Sequence, residues 1–174
     1  MTTVTADQLL KIMPFAKDRI SLFVKPLNDA MAEFEINNEK RIEVFLAQIG
    51  WESGQLRYVK ELASGEAYEG RTDLGNVHPG DGVKYKGRGL IELTGLANYI
   101  AAMMALGIDC VEHPELIEEP ENACRVSAWF WKAHGLNELA DIGNFEKITR
   151  RINGGLNGET QRIALWEIAQ KIIV

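Results

Sequence analysis

Two glutamates, Glu52 and Glu61, stand nine positions apart in settings of different character. Glu52 ends the apolar run Phe45-Leu46-Ala47-Gln48-Ile49-Gly50-Trp51, and Gly54 turns the chain just after it. Glu61 follows Tyr58-Val59-Lys60 on what reads as an exposed, non-helical stretch. A carboxyl closing an apolar run is partly desolvated, which disfavours its charged form. A carboxyl on a wetter segment stays ionised. One carboxyl kept as acid and another as base is the pairing that general acid/base hydrolysis of a glycosidic bond requires. The ordinary alternative stands beside it: the chain has 25 acidic residues, most of them solvated surface groups, so spacing alone does not select this pair.

The elements that must position the pair are mostly helical. Thr5-Ala6-Asp7-Gln8 reads as a capping box opening a helix through about Met13, ended by Pro14. Pro26 suits a first helical position, which predicts a helix over Leu27 to Phe34. Asn38 caps the next helix, where Ile42, Phe45, Leu46 and Ile49 form an apolar stripe. Glu52 lies near the C-terminal end of that helix, at the rim of the stripe, so its carboxyl is expected half-buried at a cleft edge. Between about Ser64 and Gly89 the pattern changes: glycines at 65, 70, 75, 80, 82, 87 and 89 join Asp73, Asn76, Pro79 and Asp81 in turn chemistry. That reads as a long loop with a short β-hairpin, and long loops in compact domains tend to serve function.

Helical patterning resumes over Ala97 to Leu106, closing at Gly107, and over Asn122 to His134, with Val126, Trp129 and Phe130 on one face and Gly135 as the stop. Asn144 caps Phe145 to Ile152, Asn153-Gly154-Gly155 is a sharp turn, and Thr160 to Ile173 is a final helix. Trp129 and Trp166 read as core. The expectation is one domain over residues 1–174, mainly α, with a small irregular or β-containing lobe.

Composition excludes several classes. The 174 residues, 46% hydrophobic and 25% charged, suit a globular chain with one core. A net charge of −6 argues against a general nucleic-acid binder. Lys84, Lys86 and Arg88 form either a local basic patch or a solvated loop. Cys110 and Cys124 are too few for a disulfide scaffold and read as free thiols, with a bridge possible if the chain matures outside the cytoplasm. His78, His113 and His134 are scattered, which predicts no zinc site. No apolar run has the length of a membrane span, and no classical signal peptide is recognised at the N-terminus.

Three ordered motifs then resemble a known family. They are Phe45-Leu46-Ala47-Gln48-x-x-x-Glu52-Ser53-Gly54, Tyr85-Lys86-Gly87-Arg88-Gly89-Leu90-Ile91-Glu92-Leu93-Thr94-Gly95-x-x-Asn98-Tyr99, and Ile152-Asn153-Gly154-Gly155. Together they resemble glycoside hydrolase family 19, which holds plant-type chitinases and lysozyme-like bacteriophage endolysins. Leu9-x-x-Ile12-Met13-Pro14 and Pro26-Leu27-Asn28-x-Ala30-Met31 resemble the phage and bacterial branch. The resemblance spans roughly residues 5–165. It implies a lysozyme-like α+β fold, mainly α, with two helical lobes around a cleft, and inverting hydrolysis of a β-1,4 bond between amino sugars. By position, Glu52 matches the general acid and Glu61 the general base. Thr94 matches a hydroxyl that helps hold the attacking water, Asn98 and Asn153 match sugar-binding amides, and Arg162 matches an arginine near the base. The implied partner is the peptidoglycan glycan strand, with no nucleic acid, no stable membrane insertion, no cofactor and no metal. The implied bearer is a monomeric endolysin made in the host cytoplasm and acting on the cell wall.

The chain also departs from the family. Trp51 stands where histidine is common before the acid, and Glu92 where glutamine is common. A third carboxylate near the pair would shift both titrations. Glu66 and Glu69 are close enough in sequence to replace Glu61 as base. The motifs do not separate peptidoglycan from chitin, and Trp51 and Glu92 motivate a further alternative, a catalytically silent wall-binding module.

Overall fold

The computed structural model describes residues 3–174. Nine α-helices form among them: α1 (Ala6–Ile12), α2 (Ile20–Glu33), α3 (Glu39–Glu52), α4 (Asp81–Lys84), α5 (Leu96–Leu106), α6 (Pro120–Ala133), α7 (Leu136–Asp141), α8 (Phe145–Asn153) and α9 (Glu159–Ile172). Side-chain caps open three of them. In α1 the Thr5 hydroxyl accepts from the Gln8 amide at 3.2 Å, and the Gln8 side chain accepts from the Thr5 amide at 2.9 Å. The Asn38 side chain accepts from the Arg41 amide at 3.0 Å and opens α3. Asn144 does the same for Lys147 at 3.2 Å and opens α8. Each bond satisfies an amide that the helix itself leaves unpaired.

Pro26 is a correction. It lies inside α2, which begins at Ile20. The buried residues Ile20, Phe23, Leu27, Ala30 and Met31 keep a 3–4 spacing straight across it. Proline removes one amide bond, to the carbonyl of Leu22. Leu22 is 52% exposed, on the wet side of the helix, and burial of the opposite stripe outweighs the loss. Gly135 does stop α6, as expected: it follows the C-cap His134 at φ 65° and reverses the chain directly into α7, a helix the spacing did not predict. Among the tryptophans, Trp131 is the one in the core, fully buried, donating from its indole to Asn137 at 2.9 Å and meeting Phe45 edge-on at 5.3 Å. Trp129 and Trp166 are only partly buried.

Two apolar clusters hold the molecule together. The larger joins residues of α1, α2, α3, α6, α8 and α9, including Phe23, Phe45, Trp131 and Ile148. The smaller joins Tyr85, Tyr99, Ile117 and Val126, and Phe34 and Phe130 pack against both. Cys124 belongs to the first and Cys110 to the second, both as free thiols. The glycine-rich stretch contains 3-10 turns at Glu66–Tyr68 and Thr72–Leu74 and the short α4. Its expected hairpin reduces to two isolated antiparallel bridges among the described residues, Lys60 with Arg88 and Arg88 with Leu93. Lys84, Lys86 and Arg88 do not form a common basic face. Lys86 donates to the Ala63 carbonyl at 2.7 Å, Arg88 to Glu118 at 2.9 Å, and the Lys84 ammonium lies 5.2 Å from the centre of the Tyr85 ring.

Candidate active site

Glu52 is the last residue of α3, and the turn after it aims the next segment back across the molecule. The Ser53 hydroxyl donates to Ile49 at 2.6 Å and accepts from the Leu56 amide at 2.8 Å. Gly54, Gln55 and Leu56 are all left-handed, and the fully buried Leu56 pins the reversal. The chain then runs beside residues 87–89: the Gly89 amide donates to Val59 at 2.9 Å and the Glu61 amide to Gly87 at 3.0 Å. The tight turn between Arg88 and Leu93 presents Glu92 with φ 59°, a conformation that a non-glycine residue seldom adopts outside functional or tightly constrained turns. Gly87 lies beneath both side chains. A β-carbon there would lie 3.1 Å from Glu61 Oε2 and closer still to Glu92 Oε2, so these oxygens are within about 6 Å and their charges interact.

Glu52, Glu61, Glu92, Tyr68, Thr94 and Asn153 line one cavity of about 300 Å³. It continues on one side into a space of about 400 Å³ past Tyr58, Lys60 and Leu62. On the other it continues into one of about 280 Å³ past Asn98, His134 and Arg151. The result is a cleft with the carboxyls at its middle. A larger depression of about 500 Å³ lies at Asn38 and Asp141. It is at the other end of α3, about 20 Å from Glu52 at 1.5 Å per residue, and it holds no carboxyl pair of this kind.

Glu52 is half-buried at the cleft, as its place at the rim of the stripe predicts, but its carboxyl is ion-paired. Arg162, fully buried in the first turn of α9, donates to Glu52 Oε1 at 2.5 Å, to Gln48 at 2.6 Å and to the Asn157 carbonyl at 3.0 Å. Gln48 in turn donates to Thr149 of α8 at 2.9 Å. The arginine expected near the base thus sits on the candidate acid. The reason is packing: α9 lies along α3, which brings the start of one helix to the end of the other.

Glu61 lies on a non-helical stretch whose neighbours Tyr58, Lys60 and Leu62 are exposed, as expected, but is itself half-buried. Its Oε2 accepts from the Tyr68 hydroxyl at 2.9 Å, and its Oε1 is buried without a hydrogen-bond partner. Burial, and then the bond to Glu61, push the Tyr68 phenol up to about 12, so it remains a donor. Glu92 is pushed up to about 8, first by desolvation and then by Glu61 and Glu52, with Lys86 opposing. It is therefore largely neutral at pH 7.

Thr94 donates to the Glu92 carbonyl at 2.8 Å and Asn98 to the Thr94 carbonyl at 2.8 Å, so the two stabilise the Glu92 turn as well as facing the cleft. Glu69 accepts from the amides of Gly80 and Gly82 at 2.5 and 2.8 Å, tying the glycine-rich loop together. Glu66 is exposed, and neither residue lines the three cleft cavities. Trp51 covers Gly158, whose hydrogen lets the indole lie against the backbone where any β-carbon would collide with the ring. Sequence reasoning missed Tyr68, for which no local signal exists. Gln48 was legible as the residue one turn before Glu52 on the same helix face. Among the described residues, no cluster of His, Cys, Asp or Glu has the arrangement of a metal-binding group.

No family model matches the chain. A glycosyl hydrolase family 19 domain-containing protein of Haemophilus influenzae is 42% identical over 106 residues, covering 61% of this chain and 51% of that protein. An endochitinase of Arabidopsis thaliana is 35% identical over 118 residues, covering 67% of this chain and 40% of the plant protein. The chain therefore spans about half the length, or less, of these curated relatives. A bacterial family 19 chitinase superposes with a TM-score of 0.79 at 25% identity, covering 98% of this chain and 94% of the other. Chitinase C from Streptomyces griseus superposes at 0.78 with 26% identity, covering 98% of this chain and 76% of the other. With its three motifs meeting in one cleft and this agreement in sequence and fold, the chain belongs to the chitinase-like proteins of glycoside hydrolase family 19.

Proposed function

We propose that the chain hydrolyses β-1,4 bonds of an amino-sugar polysaccharide with inversion, and that its substrate is the peptidoglycan strand, cut between N-acetylmuramic acid and N-acetylglucosamine as an endolysin would cut it. The observation that carries the reading is the union of Glu52 and Glu61 on one cavity in the middle of a cleft, with one oxygen of Glu61 lacking a partner. Arg162 occupies Glu52 Oε1, which leaves Oε2 to carry the proton. In the reaction Glu52 gives that proton to the glycosidic oxygen as the bond to C1 breaks. Glu61 takes a proton from the water that attacks C1 from the opposite face. Tyr68 holds Glu61 in place through Oε2. Thr94, Asn98 and Asn153 offer hydroxyl and amide groups to the sugars along the cleft.

A specific observation favours a second reading, chitin as substrate: several relatives and structural neighbours are chitinases by name. The test is to incubate the protein with purified cell walls and with chitin oligomers, and to record new reducing ends and the anomer first released. Peptidoglycan cleavage giving the inverted anomer supports the proposal. Turnover of chitin oligomers with intact walls moves the substrate to chitin. A retained anomer refutes the mechanism, and no reducing ends from either polymer refutes the glycosidase reading.

A further inference from the structure

The cavity beyond Thr94 contains a cation that the reaction does not use. Arg151, in the last turn of α8, lines this space together with Asn98, Phe130 and His134. It shares Ile91, Glu92, Thr94 and Ile152 with the central cavity, so a strand running past Glu52 passes over Arg151. Arg151 is exposed, and one of its nitrogens donates to the His134 carbonyl at 2.6 Å. That carbonyl is itself well supported. The His134 ring is stacked on Phe130 at 3.8 Å, and its Nδ1 lies 2.8 Å from the Phe130 carbonyl. The guanidinium is thus aimed and anchored by one edge, with its remaining N–H groups uncommitted.

Among the described residues, Arg151 forms no ion pair with any carboxylate. Glu138 also lies near Gly135, within about 7 Å of the guanidinium but outside ion-pairing distance. Its sequence neighbour Arg150 makes a useful contrast, because it is tied to Glu146 at 2.9 Å on the outside of the helix. In a chain of net charge −6, an anchored but unpaired arginine on a substrate cleft is a site for an anion. A planar guanidinium matches a carboxylate in shape and donor spacing. Chitin offers none, being a neutral polymer. The peptidoglycan strand carries carboxylates on the lactyl-linked peptides that project from alternate sugars.

We propose that Arg151 is the specificity-determining residue of this cleft, gripping a carboxylate of the stem peptide and so favouring the anionic, peptide-bearing strand over neutral chitin. The inference rests on the glycosidase reading above and deepens it. The test compares the native protein with Arg151→Gln, using Arg150→Gln as a control with the same change of charge. Rates are measured on soluble peptide-bearing glycan fragments and on chitin oligomers. The expected result is that Arg151→Gln lowers the ratio of kcat/KM on the two substrates about tenfold, through KM, while Arg150→Gln leaves the ratio within twofold. The native preference also declines as salt is raised. An equal ratio in native protein and Arg151→Gln overturns the proposal, as does an equal fall for Arg150→Gln. If the native protein cleaves neither substrate, the glycosidase reading is what has failed. Co-sedimentation with insoluble walls then decides this inference separately: a weaker grip by Arg151→Gln supports it and an unchanged one overturns it.

Discussion

Replacing Glu92 by glutamine separates charge from shape. The carboxyl is pushed from an ordinary value of 4.5 up to about 8, so between those values it is neutral in the folded chain and ionised in the unfolded one. The unfolded chain then binds fewer protons, and stability falls as pH rises through that window, levelling off above about 8. At about 1.4 kcal/mol per pH unit the full window corresponds to about 5 kcal/mol. Glu92 lines an open cleft, however, and solvent screening reduces this to about 1–3 kcal/mol. Glutamine has nearly the same shape and does not titrate, so it escapes this loss. Near pH 4.5 the two proteins should melt within a degree or so of one another. At pH 8–9, Glu92→Gln should melt roughly 2–12 °C higher, since 1 kcal/mol shifts Tm by about 2–4 °C in a chain of this size. Calorimetric or fluorescence melts across pH 4.5–9 read this directly. A Tm difference that is constant with pH, or that shrinks as pH rises, would refute the claim that a half-buried neutral acid stands beside the pair.

Glu61→Gln should lower turnover on cell walls or chitin oligomers by about 10²–10⁴-fold with an unchanged melt, while Glu66→Gln keeps more than half of the native rate; the reverse pattern reassigns the base. Arg162→Leu leaves Glu52, Gln48 and the Asn157 carbonyl without their donor, and should cost about 3–5 kcal/mol in chemical denaturation. A loss below 1 kcal/mol would show that the buried network contributes little. Gly87→Ala places a methyl group against both Glu61 and Glu92, so activity should drop at least tenfold while far-UV circular dichroism stays native; full activity would mean that the two carboxyls can move apart freely.

The helices and their caps were legible in the sequence because they depend on neighbours three and four positions away. Thr5 with Gln8, Asn38 with Arg41 and the stripe from Ile42 to Ile49 are complete as local statements, and Glu52 at the helix end follows from them. Pro26 misled because its local preference was outweighed by burial of Phe23 and Leu27 against distant helices. The site lay further from reach. Glu61 meets Tyr68 only after the chain reverses at Gln55 and Leu56 and pairs with residues 87–89. Arg162 meets Glu52 across 110 positions, through the packing of α9 on α3. The sequence by itself determined which carboxyls were available and on which elements they would ride. Only the tertiary structure decided which of them is ion-paired, which has an unpartnered oxygen and which is half-buried as a neutral acid, because charge and desolvation depend on what distant segments bring within a few ångströms.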